Sequence, residues 1–227
     1  MTHILDNPIY NALKTGNKKL SIGDGQVTIF RRDVAPFAGM ESNSNEDFEA
    51  LTALGPQINP VVIFSPVKHN LPGNWEILRE FEMLQMVHEG PAPTNPASQQ
   101  ITDLDDSHIA QMIELTQLTK PGPFLQRTIE FGNYTGIFDD GKLVSMVGQR
   151  MQPSPYIELS AVCTHPDHLG KGYAGILLNE QIKRVIKANG IPFLHVLADN
   201  ESAIRVYERV GFKARSPMFG YVINIQE

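Results

Sequence analysis

Gly170, Lys171, Gly172, Tyr173, Ala174 and Gly175 form the densest chemical signal in the chain. Successive backbone N–H groups in a glycine-rich turn that opens onto a helix make a site for a phosphate or pyrophosphate. Lys171 adds positive charge beside it. The run satisfies the GxGxxG pattern, and Asp199 lies 24 residues after Gly175, as in a dinucleotide-binding fingerprint. Two features oppose that reading: His165 to Leu169 separate the glycines from the preceding strand, and only 52 residues follow Gly175, too few for the remaining strands. A Walker-type loop fails too, because Lys171 is followed by Gly172 rather than Ser or Thr. A tight strand-to-helix connection without a ligand is the plain alternative.

Downstream, Asn200 and Tyr207 are seven residues apart, a separation that returns both side chains to nearly one helix face. One can touch a cofactor stem and the other its reactive end; a buried structural tyrosine is the alternative. Cys163 as an acyl-carrying nucleophile needs an activating base, and its neighbour His165 is followed by Pro166 in a turn, so packing is the expected role. His165, Asp167 and His168 lack a fourth ligand at defined spacing and read as a solvated turn, with no metal.

The elements that position these residues follow from periodicity and breakers. Strand-like runs occur at 26–30, 60–67 and 75–87, with a short helix at 46–54. Gly90, Pro91, Pro93, Asn95 and Pro96 mark a connector at 89–100, hence two units, 1–95 and 100–227. Asp105, Asp106 and Ser107 cap a helix through Thr119, and a second helix is expected at 124–131. Runs 134–138 and 142–150 flank Asp139, Asp140 and Gly141 as a hairpin, extended by a strand at 156–164. A helix follows Gly170–Gly175 with Ala174, Leu178, Ile182 and Val185 on one face. Then come a strand at 192–198, a short helix capped by Asp199 or Asn200 and ended by Gly211, and a strand at 219–225.

The whole chain has 227 residues, 41% of them apolar and 19% charged, with no apolar run near the roughly 20 residues a spanning helix needs. Lysine and arginine number 19 against 25 acidic residues, and this net charge of −6 disfavours nonspecific binding to nucleic acid or anionic membranes. Asp6, Asn7 and Pro8 interrupt the segment where a signal peptide needs an apolar stretch, so a cytoplasmic protein is expected. One cysteine cannot form an internal disulfide.

The run 158–175, with His165, Pro166, Asp167, Gly170, Gly172 and Ala174, resembles the acetyl-coenzyme A motif of the GNAT superfamily of N-acetyltransferases, and 200–212 looks like its second motif. The resemblance covers about 100–227. It implies an α/β (α+β) fold with a mixed, mostly antiparallel sheet flanked by helices, preceded here by an additional N-terminal α/β subdomain. Whether 1–95 is a degenerate second copy rests on analogy with tandem members. Leu169 stands where the family usually has Arg or Gln.

By this resemblance acetyl-coenzyme A is the acyl donor and a small-molecule or peptide amine the acceptor; a homodimer is compatible. Val162, Cys163 and Thr164 pair with the pantetheine arm, Gly170 to Gly175 hold the pyrophosphate, and Asn200 adds a cofactor contact. Glu158, 14 residues before Gly172, is the expected base, partly buried so that desolvation raises its pKa; an ion pair with Arg127 or Arg150 is the alternative. A backbone N–H near Val162 or Cys163 serves the oxyanion, and Tyr207 protonates the leaving thiolate or positions the sulfur. Phe124, Arg127, Tyr134, Phe219 and Tyr221 are expected to face the acceptor. A non-catalytic acyl-coenzyme A sensor and a dinucleotide-dependent oxidoreductase are the competing functions.

Overall fold

Helix caps and turn residues set most element ends in the computed structural model, which describes residues 3–23, 25–94 and 100–226. Along the chain come α1 (Pro8–Lys14), β1 (Ser21–Ile22), β2 (Val27–Phe30), β3 (Ala38–Met40), α2 (Asn45–Thr52), β4 (Val61–Ser65), β5 (Trp75–His88), β6 (Thr102–Asp103), α3 (Ile109–Thr119), β7 (Thr135–Asp139), β8 (Lys142–Gln149), β9 (Tyr156–Thr164), α4 (Tyr173–Lys187), β10 (Ile191–Leu197), α5 (Glu201–Arg209) and β11 (Phe212–Ile225). Asp105 accepts from the Ser107 N–H at 2.9 Å, starting the turn that leads into α3. Of the two residues expected to cap α5, Asn200 does so, accepting from the Ala203 N–H at 3.1 Å. Gly211, at φ 100°, ends that helix in a conformation that favours glycine.

Two sheets result. β1, β2 and β3 form a three-stranded sheet, and the other strands form an eight-stranded sheet in the order β4-β11-β5-β10-β9-β8-β7-β6. Its neighbours are antiparallel except β9 and β10, which run parallel. One face carries α4 and α5: Leu177, Leu178, Ile182 and Val185 of α4 pack with Leu159, Leu194 and Phe212 of the sheet. Each such side chain contributes about 1.5–3 kcal/mol on leaving water. The other face is covered by α1, the 3-10 turn before it and α3, through Leu5, Ile9, Leu13, Met112 and Leu115.

Three expectations need correction. The connector at 89–100, of which Asn95 and Pro96 lie outside the described residues, does not separate two independent sheets: β5 precedes it yet lies between β10 and β11. Expected units 1–95 and 100–227 therefore share one core. The helix expected at 124–131 is a single 3-10 turn at Thr128–Phe131. There Thr128 Oγ1 donates to the Val34 carbonyl and accepts from the Leu125 N–H, both at 2.7 Å, so long-range contacts set the backbone. β11 begins at Phe212 rather than 219, because β5 pairs with it along its length and a register shift between Ala214 and Ser216 accommodates the region before Pro217. No helix among the described residues is long and apolar enough to cross a membrane.

Candidate active site

β9 and β10 pair only where Tyr156–Glu158 meets Ile191–Phe193, and then part. The cause lies in β9. Met146 pairs with Cys163 and Gly148 with Ser160, so Ala161 and Val162 together face one residue of β8, and Ala161 takes φ 53°. Such a bulge bends and twists its strand. The parted strands border a cavity of about 320 Å³: Ser160, Ala161 and Val162 stand on one side, His195 and Leu197 on the other, and Asn200 and Tyr207 close it from α5.

Beyond Thr164 the chain enters the glycine turn. Gly170 and Gly172 have φ 78° and 77°, the left-handed region. Gly172 begins α4 without a side-chain cap, leaving the first-turn amides of a fifteen-residue helix without that partner. A Cβ built at Gly170, Gly172 or Gly175 meets nothing within 4 Å, so the cradle is open. Lys171 Nζ lies 3.9 Å from Asp139 and stays half exposed. This arrangement suits a pyrophosphate. Leu169 points to solvent, 67% exposed. Val162 lines the cavity, whereas the Cys163 side chain is buried in the core and burial pushes its thiol up to about 12. Thr164 shares a 2.9 Å hydrogen bond with Ser145. Thus Cys163 offers only main chain to a ligand and is no nucleophile.

Glu158 is fully rather than partly buried, and its chemistry is the reverse of a base. Burial raises a carboxyl pKa; here the charge of Arg150, its hydrogen bonds and that of His195 outweigh burial and hold Glu158 down to about 2. Arg150 donates through Nε and Nη2 at 2.7 and 2.6 Å, the Met151 N–H donates at 3.2 Å, and His195 Nδ1 lies 2.7 Å away. The ion pair with Arg150 replaces the expected base. His195 is also committed. Gln85 accepts from Arg215 at 2.7 Å through Oε1 and donates to the Leu5 carbonyl at 2.9 Å through Nε2, which fixes its amide orientation. That same Nε2 sits 3.0 Å from His195 Nε2, so His195 accepts there and donates from Nδ1 to Glu158. Arg215 continues to Asp6 at 2.5 Å.

Tyr207 of α5 lies on the cavity wall. It is buried at 8% exposure, burial raises its pKa, and among the described residues no hydrogen bond ties up its hydroxyl. It lines the cavity with Asn200, the cap of the same helix.

The acceptor residues divide differently from expectation. Phe124 and Tyr134, ring centroids 5.7 Å apart, border a small adjoining space of about 10 Å³, and a Cβ at Gly148 collides with the Tyr134 ring. Both serve mainly as packing. Arg127 is held by Glu130 at 2.5 Å and does not line the cavity. Phe219 and Tyr221 are also absent from the lining. Val222 of β11 faces the cavity, so alternation turns 219 and 221 to the other face; there the Tyr221 hydroxyl accepts from the His69 N–H at 3.0 Å. The cavity wall comes instead from Phe37, Phe64, Arg79, Phe81, Lys120 and Arg150. Four of these lie before the connector, where no motif marks them; Lys120 carried a signal, standing before Pro121 at the end of α3, where it takes φ 51°. His165 and His168 make turn hydrogen bonds, to the Asp167 N–H at 3.2 Å and to Asp139 at 2.9 Å.

Comparison with known proteins agrees with this geometry. A family model described as FR47-like protein matches residues 134–219, which contain β7 to α5 and much of β11. A search of curated proteins finds no match. Among solved structures, an acetyltransferase of the GNAT family from Novosphingobium aromaticivorans DSM 12444 is 30% identical, with a TM-score of 0.91 and 100% of both chains covered. A GCN5-related N-acetyltransferase from Kribbella flavida shares the fold at 14% identity and TM-score 0.61, covering 94% of this chain and 95% of its own. A GCN5-related N-acetyltransferase-like protein from Streptococcus suis 89/1591 does so at 14% identity and TM-score 0.58, covering 88% of this chain and 85% of its own. With the parted strands, the open glycine turn and a relative 30% identical over its whole length, the chain belongs to the GNAT family.

Proposed function

We propose that the protein is an N-acyltransferase that moves an acetyl group from acetyl-coenzyme A to a primary amine. One observation carries this reading: β9 parts from β10 and runs on through a glycine turn into an uncapped helix N-terminus, and Tyr207 lines the cavity beside the parted strands. When bound, acetyl-coenzyme A supplies an acyl group activated as a thioester. The residues of the chain do the rest. Main-chain amides at Tyr173 to Gly175 bind the pyrophosphate, with Lys171 adding charge. The bulge leaves Ala161 and Val162 out of register with β8, so a main-chain N–H there polarises the acyl carbonyl. Tyr207 holds a proton at Oη for the departing sulfur, and its raised pKa keeps that proton in place until a thiolate develops.

Among the described residues, no carboxylate lines this cavity, and its one imidazole, His195, is held on both ring nitrogens. Arg79 and Lys120 act instead through charge: a cation beside an ammonium lowers its pKa, and the proton leaves to water. A cytoplasmic setting fits a chain with one cysteine.

Calorimetry with acetyl-coenzyme A and thiol release across an amine panel test this reading. Saturable binding with thiol release dependent on amine is expected. Binding without turnover on any amine makes the protein a sensor, and absence of binding at millimolar ligand would falsify the assignment.

A further inference from the structure

The cavity runs between two core clusters, with Tyr207 from one and Phe37 and Phe64 from the other. On the second side the walls are aromatic. Phe64 stacks edge-on with Phe37, Phe81 and His195 at centroid distances of 5.6, 6.5 and 5.2 Å. Three cations join them and, among the described residues, no carboxylate lines the cavity, although the chain as a whole carries 25 acidic residues. Arg79 lies 5.3 Å from the Phe81 ring and Arg150 5.0 Å from Phe37. Neither Arg79 nor Lys120 has an ion-pair partner among the described residues. Arg150 spends Nε and Nη2 on Glu158, while its Nη1 has no hydrogen-bond partner among the described residues, although the side chain is only 13% exposed. A guanidinium shared between an internal carboxylate and an open donor edge is suited to a second carboxylate, and flanking cations strengthen that preference.

We propose that the acceptor is a small amine bearing its own carboxylate and an apolar side group, in chemical terms an apolar α-amino acid. Its carboxylate binds among Arg150, Arg79 and Lys120, and its side group packs on Phe37, Phe64 and Phe81. This rests on the acyl-coenzyme A reading and narrows it. The amine nitrogen bonds to the acyl carbon as the carbon–sulfur bond breaks; of the two protons the ammonium loses, one leaves to water and the second balances the released thiol. The same cations that hold the carboxylate disfavour the ammonium, so binding and deprotonation are served by one set of charges. Polycationic acceptors are excluded by repulsion at Arg79 and Lys120.

The test compares phenylalanine and leucine with their amides and with the matching decarboxylated amines, measured by thiol release from acetyl-coenzyme A. The acids are expected to have kcat/KM about tenfold or more above either analogue. Arg79→Gln and Lys120→Gln, both at exposed positions, are expected to raise KM for the acids by several-fold, to narrow the preference, and to lower the rate at neutral pH by an amount that shrinks as pH approaches the free amine's pKa. Amides or amines reacting as well as the acids overturn the proposal. So does the absence of turnover on every acid in a protein that binds acetyl-coenzyme A, an outcome that leaves the coenzyme A reading standing. Calorimetry of N-acetylphenylalanine with the wild type and Arg79→Gln needs no cofactor: equal affinity for both proteins, or no binding to either, also overturns it.

Discussion

Burial pushes the pKa of both Tyr207 and Glu158 upward, and the two end differently because Glu158 alone meets a buried guanidinium and an imidazole N–H. Tyr207 is buried without a hydrogen-bonding partner for its hydroxyl among the described residues and stays protonated. Tyr207→Phe is expected to lower kcat by about 100-fold or more while leaving acetyl-coenzyme A affinity and thermal stability close to the parent; calorimetry and single-turnover rates check this. Glu158 is buried against Arg150 and stays ionised down to about pH 2. Its folded pKa lies below the ordinary 4.5, so its stabilisation is present above that value and fades as pH falls towards 2. Glu158→Gln leaves the Arg150 charge uncompensated in the core and is expected to cost about 3–5 kcal/mol near neutral pH, the difference narrowing in denaturant titrations below pH 4. A fall in activity of this variant then tracks its loss of fold rather than loss of a base. The resemblance set Glu158 beside the thioester; the structure buries it behind Arg150, outside the cavity lining. Its partners were harder to read: Arg150 was a stated alternative, but His195 lies on another strand, and Gln85 and Arg215 reach it from strands that no local pattern brings together.

At the level of elements, the turn from β9 into α4 and the capped α5 were the most legible parts, because glycine chemistry, an Asn cap and helical periodicity are all local. The bulge at Ala161 was not visible, since neither Ala161 nor Val162 is a residue that announces positive φ. The turn yields its own prediction. Gly172 at φ 77° has open space around a Cβ, so Gly172→Val is strained by about 1–2 kcal/mol and puts a side chain into the anion cradle. Its affinity for acetyl-coenzyme A is expected to fall about tenfold or more, whereas that for acetylpantetheine, which lacks the pyrophosphate, changes little. Equal losses for the two ligands in calorimetry place the pyrophosphate elsewhere.

Across the whole molecule, the segment before the connector both completes the sheet and walls the cavity. β5 lies between β10 and β11, the pair Arg215–Asp6 fastens the N-terminal turn, and Phe37, Phe64, Arg79 and Phe81 wall the cavity. Composition around Gly90 to Pro93 suggested a boundary because breakers report chain direction and say nothing of strand order. A fragment of residues 100–227 is therefore expected to lack cooperative thermal unfolding by circular dichroism, while the full chain unfolds in a single transition. The central claim, that the parted strands and the glycine turn form one acyl-coenzyme A site aimed at Tyr207, is tested most directly by a crystal structure with acetyl-coenzyme A. The account predicts the pyrophosphate on the amides of Tyr173 to Gly175 and the thioester between β9 and β10 within reach of the Tyr207 hydroxyl. A ligand seated elsewhere, with that gap closed by side chains, contradicts it.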